Sequence, residues 1–303
     1  MLEKIKIAAT AAAVCAAVLS SCGKTVPLAG QSESDTEQSA AVTTAAATEP
    51  TTAVEEETTE YGAPRRIEVD TDTPEGYELK NSCVVYMETV MQEPELPTGC
   101  EITALTELVN FYGFDVDKLE LCDVFMPIDH EGYYTMNEVY LGDPHLNNGF
   151  GCNAPVIVKT ADDYFEYIGS DWYAKDLTGI SLDEVFYQIE QGRPVVVWST
   201  IGQRETHAEY QFRLGCGEDF YFNPFQHCLT IYGFDYNEGV VHVADPLVGN
   251  TKYDMERFAR IYEIMGKQAV VLCGNEESAG VDYTTDEEKA EWLELNRPEE
   301  EEE

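Results

Sequence analysis

Apolar side chains return every three to four positions after residue 100, at Ile102, Leu105, Leu108, Val109 and Tyr112, until Gly113 ends the run. That period predicts a helix over 101–112 with one face in a core. Similar patterns predict helices over 161–168, 182–191 and 254–265. The second half of the chain changes period. Residues 194–199 form a continuous apolar run (Val195, Val196, Val197, Trp198), as expected of a buried strand. Residues 227–234 alternate, 240–244 follow a turn at Tyr236-Asn237-Glu238-Gly239, and 269–272 make a last apolar strand. Helices first, then strands joined by hairpin-type turns, predict an α+β fold with an antiparallel sheet.

Outside this region the pattern fades. Lys4 and Lys6 precede an apolar run over 7–19 that is too short to span a bilayer. It ends in Leu19-Ser20-Ser21-Cys22-Gly23, which resembles the lipobox of bacterial lipoproteins. The resemblance implies cleavage before Cys22, lipidation of its thiol, and an address on the outer face of the cytoplasmic membrane. An ordinary secretory signal followed by a cysteine is the alternative, and either reading predicts export. Residues 23–77 are rich in Thr, Ala, Ser, Glu and Asp and interrupted by Pro27, Pro50 and Pro64. Such a composition buries too little apolar surface to offset ordering entropy, so a disordered linker is expected. Coil scaling gives about fifty such residues a reach of roughly 40 Å. The expected domain is 78–275, about 200 residues, enough for one full core. Residues 276–303 read as an acidic tail, in which Trp292, Leu293 and Leu295 admit either a short docked helix or a solvated segment.

Charge narrows the partners. With 58 Asp and Glu against 18 Lys and Arg, the formal net charge is −40. Nucleic acid and anionic lipid surfaces would be repelled. No cofactor motif is present.

The candidate chemistry begins at the predicted helix. Thr98 and Glu101 have the spacing of a capping box around Cys100. A cysteine in a first turn gains from free amides and the positive end of the helix dipole, both of which favour a thiolate. The adjacent Glu101 opposes this, so a positive partner is required. His227 opens one strand of the predicted hairpin and Asp245 closes the next. A three-residue turn over 235–237 would set them face to face. A four-residue turn would put them three places out of register, with a bulge able to recover part. Cys100, His227 and Asp245 then supply nucleophile, base and orienting group. Gln92 offers an amide N–H for an oxyanion, beside the Cys100 backbone amide.

These residues carry a family resemblance. The stretch from Gln92 through Leu96-Pro97-Thr98-Gly99-Cys100-Glu101, closing at Asn110-Phe111-Tyr112-Gly113, resembles the cysteine motif of papain-like peptidases related to the bacteriocin double-glycine leader peptidases. The match continues through Gly142-Asp143-Pro144, Gly149-Phe150-Gly151-Cys152-Asn153-Ala154-Pro155, Gly192-Arg193-Pro194, His227-Cys228-Leu229 and Ala244-Asp245-Pro246. It implies a papain-like fold, with Cys100 as nucleophile, His227 as general base, Asp245 as orienter and Gln92 in the oxyanion hole. An exported cysteine peptidase acting on a peptide or protein through a thioester is the expectation. The chain departs from the leader peptidases in having no transporter domain or P-loop, and its eight-residue gap from Gln92 to Cys100 is wide. A cell-wall amidase or endopeptidase, a silent peptide-binding lipoprotein and an amine-accepting transferase stay open.

The other cysteines are Cys83, Cys122, Cys152, Cys216, Cys228 and Cys273. Six in an exported domain allow three disulfides, with fifteen connectivities. Cys152, in a glycine-rich loop, is a rival nucleophile without a cap. There is no CxxC, and His130, His145 and His207 lie in polar loops, so no metal site is expected. Specificity is expected to lie in the polar, aromatic loops 129–150 and 202–225.

Overall fold

The computed structural model describes residues 66–296; Cys22 and the rest of 1–65, with 297–303, lie outside the described residues. The strands are β1 (Ser82–Val84), β2 (Ile128–Asp129), β3 (Tyr140–Leu141), β4 (Tyr173–Asp176), β5 (Val195–Thr200), β6 (Glu209–Arg213), β7 (Asp219–Phe222), β8 (Gln226–Asp235), β9 (Val240–Asp245), β10 (Gly249–Asp254) and β11 (Ala269–Cys273). The helices are α1 (Cys100–Phe111), α2 (Lys118–Glu120), α3 (Ala154–Tyr167), α4 (Leu182–Glu190), α5 (Met255–Ile264) and α6 (Asp286–Leu295).

A seven-stranded sheet runs in the order β10-β9-β8-β5-β11-β4, with β1 also paired to β8. Its pairings are antiparallel throughout, as the hairpin turns predicted. Strand β5 shows why the sheet is covered on both faces. All six of its residues are buried. Val196 and Trp198 join the core formed with α1 and α3, while Val195 and Val197 join the core under α4. Alternation along one strand thus feeds two cores. Among the described residues no helix is long and apolar enough to cross a membrane.

The helix patterns were legible where their faces are strongly apolar. Helix α3 begins at Ala154 rather than at 161, because Pro155 is tolerated in a first turn and Val156 and Ile157 are core residues. Strands β1, β2, β3, β4, β6, β7 and β10 were not predicted. Strand β10 reads Gly-Asn-Thr-Lys-Tyr-Asp and lies at the sheet edge, so nothing apolar marks it. Packing also reaches beyond the expected domain limits. Thr71 is buried, and its carbonyl accepts the Gln188 side-chain amide at 2.7 Å. In the tail, the docked helix is the reading found: α6 has a Thr285–Glu288 capping box, and Trp292 stacks near Phe125 and Tyr167.

The β8–β9 hairpin decides the site. Asp235 pairs with Val240, so the turn has four residues, 236–239. Continued unbroken, that register would set Asp245 on the opposite face of the hairpin from His227. A bulge between Ile231 and Gly233 shifts the pairing by one, to Ile231 with Val243 and Thr230 with Ala244. One residue of shift exchanges faces, because strand side chains alternate. It returns His227 and Asp245 to a common face as diagonal neighbours.

Leu105 is fully buried in the α1 core. Leu105→Ala should lower the unfolding free energy by about 2–5 kcal/mol in urea titrations of the purified domain, the usual cost of an unfilled leucine site.

Candidate active site

Cys100 is the first residue of α1, with Gly99 as the cap residue and no side-chain cap. The expected capping box is not formed. The Thr98 hydroxyl turns away and donates to the Leu146 carbonyl at 2.8 Å, with the Asp143 carbonyl 3.2 Å away. Glu101 turns inward instead. It is 1 % exposed, and its Oε1 accepts the Cys152 amide at 3.2 Å. Gly151, at φ +111°, allows this approach; a Cβ there would collide with the Glu101 carboxylate.

The Cys100 thiol donates to Glu101 Oε2 at 3.2 Å, and its sulfur accepts the backbone N–H of Cys228 at 3.3 Å. Burial pushes this thiol well above its ordinary range, and the Glu101 charge and hydrogen bond add to the rise; the Cys228 amide opposes it. The thiolate favoured by a helix N-terminus is therefore not the resting state. Desolvation and a neighbouring carboxylate outweigh the dipole. Burial likewise raises Glu101, against its hydrogen bonds to Cys100 and backbone amides.

His227 and Asp245 are joined by a 2.7 Å hydrogen bond between Nε2 and Oδ1, both side chains almost wholly buried. Asp245 also accepts the Leu247 amide at 2.9 Å and the Tyr253 hydroxyl at 2.7 Å. Burial works to raise this carboxyl, but the His227 bond and charge and these further donors hold it below its ordinary value. An ionised Asp245 is an acceptor, so Nε2 carries a proton toward it, and Nδ1 is the ring nitrogen left to exchange one. The fold thus brings Cys100 beside the peptide that follows His227. Among the described residues no hydrogen bond joins the thiol to the imidazole.

Gln92 is placed differently from its expected use. Its Nε2 donates to the carbonyls of Pro97 at 2.8 Å and Leu96 at 3.3 Å, tying down the turn before α1. Its Oε1 is buried without a partner. Gln226, unnoticed in the sequence, has a buried Nε2 without a partner, close to Glu101 and Gly151. Its signal was only its position next to His227. Tyr253 was missed with its strand. Cys152 shows no base: Trp198 Nε1 bonds its carbonyl, and burial raises its thiol. Cys83, Cys122, Cys152, Cys216, Cys228 and Cys273 are all unpaired, so no disulfide framework forms among the described residues.

The two predicted specificity loops meet. Phe150 packs edge-on against Phe212, Phe220 and Phe222 of the β6–β7 hairpin, and the Gly215 amide bonds the Gly132 carbonyl.

The model of the peptidase C39-like family matches residues 84–270, spanning Cys100, His227 and Asp245. The chain belongs to that family. YvpB, an uncharacterized protein of Bacillus subtilis, is 28 % identical over 220 residues, covering 69 % of this chain and 85 % of YvpB. A crystal structure from Bacillus anthracis described as a C39-like peptidase is similar with a TM-score of 0.57 and 24 % identity, over 65 % of this chain and 99 % of that one. The peptidase domain of Streptococcus ComA, a bifunctional ABC transporter, is 17 % identical with a TM-score of 0.40, over 63 % of this chain and 100 % of that one. The fold is accordingly papain-like, of mixed helix and antiparallel sheet.

Glu101 adds to burial in keeping the Cys100 thiol neutral. Glu101→Gln should therefore speed alkylation of Cys100 by iodoacetamide severalfold near neutral pH, read by mass spectrometry of the modified peptide. An unchanged or slower rate would remove Glu101 from that role.

Proposed function

We propose that the protein is an exported cysteine peptidase that cleaves an amide bond of a peptide or protein through a thioester. The observation that carries this reading is the buried His227–Asp245 pair one residue from the amide that holds the Cys100 sulfur. Catalytic hydrogen bonds are often loose before substrate binds, so a thiol resting on Glu101 is compatible with transfer to His227.

In the proposed sequence the Cys100 side chain leaves Glu101 and gives its proton to His227 Nδ1. The thiolate attacks the carbonyl carbon. The Cys100 backbone N–H, at the first position of α1, has no carbonyl four residues back in the helix and is available to the oxyanion. Gln226 Nε2 is a further free donor nearby, whereas Gln92 would first have to release Leu96 and Pro97. The tetrahedral intermediate collapses as the C–N bond breaks, and the His227 imidazolium protonates the departing amine. Water, deprotonated by His227, then attacks the thioester, freeing the acid and restoring the thiol. Asp245 keeps the ring oriented and its proton on Nε2 throughout.

Cys100→Ala and His227→Ala should each abolish turnover of a fluorogenic peptide library, and Asp245→Ala should cost less than either, as orienting groups do. A library probe carrying an electrophile should label Cys100. Activity that survives Cys100→Ala would overturn the peptidase reading. Release of muropeptides from purified walls, with peptides untouched, would assign the same chemistry to a cell-wall substrate.

We propose further that Cys22 is the lipidated N-terminus that anchors the domain to the outer face of the membrane through the 23–77 linker. Metabolic labelling with an alkynyl fatty acid should mark the wild-type chain and fail with Cys22→Ser.

A further inference from the structure

We propose that Cys122, Asp123 and His145 form a binding site for one borderline-soft divalent cation, with zinc as the reference ion, beside the entry to the nucleophile's helix. The sequence placed His145 alone in a polar loop. The fold brings a sulfur, a nitrogen and an oxygen donor within 4.8 Å of one another. His145 Nε2 lies 2.8 Å from Asp123 Oδ1 and 4.0 Å from Cys122 Sγ. Tetrahedral bond lengths for zinc place such N–O and S–N pairs about 3.4 and 3.6 Å apart. The N–O pair would open by about 0.6 Å and the S–N pair close by about 0.4 Å. The donor set separates this cluster from an ordinary acidic surface patch. Thiolate and imidazole suit zinc and its neighbours far better than calcium or magnesium.

Local backbone supports the reading. Cys122 and Asp123 are consecutive, and consecutive residues of a regular α-helix do not face one partner. Here they lie on a π-helical turn, Leu121–Phe125, closed by the Met126 amide on the Leu121 carbonyl at 3.1 Å. Single π turns are rare and concentrate at functional sites. Cys122 is buried and takes no part in the proposed hydrolysis. His145 and Asp123 are solvent-accessible, which gives the ion an entry path.

The site is wired to the nucleophile. Asp143 accepts the His145 amide at 2.9 Å, and the Asp143, Pro144 and Leu146 carbonyls surround the Thr98 hydroxyl, two residues before Cys100.

The test uses the full-length Cys100→Ala chain, so that the active-site thiol cannot bind metal. Titration of zinc against a chromophoric chelator should give one tight equivalent. Cobalt(II) in its place should give a thiolate-to-cobalt charge-transfer band. His145→Ala, on an exposed side chain that folding does not depend on, should weaken zinc binding at least tenfold, and Cys122→Ser should erase the band. Absence of stoichiometric binding, affinity unchanged by His145→Ala, or a band that survives Cys122→Ser would each overturn the proposal.

Discussion

A buried carboxylate at the end of β9 constrains the rest of the site. Asp245 is 2 % exposed. An ionised group in such a place is tolerated only with its lone pairs occupied. Three donors from three places meet that demand: a ring nitrogen of β8, a backbone amide just beyond β9, and a hydroxyl of β10. The need explains features that look unrelated. The bulge near Tyr232 gives the hairpin the parity that puts histidine and aspartate on one face. The polar edge strand β10, which has little apolar content to bury, is held in antiparallel register by β9 and carries Tyr253, directly opposite Val241, on the same face as Asp245.

Helix α1 meets this network with two buried carboxylates of its own, and they do different things. Glu107 accepts the Val90 amide at 3.1 Å and the Thr230 hydroxyl at 2.9 Å, so it pins α1 to β8 and to the segment leading to Gln92. Burial raises it well above the ordinary carboxylate range, and its role is structural. Glu101 binds the Cys100 sulfur. A helix N-terminus and an imidazole would favour a thiolate in most settings, yet here desolvation and an adjacent carboxyl group dominate, and Cys100 rests as a protonated thiol. In the proposed mechanism, activation is a step in which the sulfur exchanges one partner for another.

How far the sequence was readable follows from how local each cause is. Helix α1 and strands β5, β8, β9 and β11 carry apolar patterns that survive without tertiary information, and they hold the three residues with a triad's spacing. The family motif named the same positions. What misled was a rule applied one residue too locally. Thr98 and Glu101 have capping-box spacing, but carbonyls forty-odd residues away compete for the hydroxyl, and the Cys152 amide competes for the carboxylate. Gln92 carries an amide suited to an oxyanion, but the Leu96 and Pro97 carbonyls claim both its hydrogens. Residues 122, 123 and 145 could not be grouped at all, because a π turn is not visible in a hydrophobic pattern.

The polar network and the aromatic hairpin are continuous through one short segment. Phe150 is held by the phenylalanines of β6 and β7, its amide bonds the Leu141 carbonyl, and the next two residues are the glycine that makes room for Glu101 and the cysteine whose amide binds it. Tyr210 and Tyr221 on the same hairpin are exposed. A ligand that shifted this hairpin would move Phe150, and with it the amide that fixes the Glu101 carboxylate. In the proposed mechanism the Cys100 thiol leaves Glu101 for His227, so a displacement of 150–152 would act on that step through the Cys152 amide.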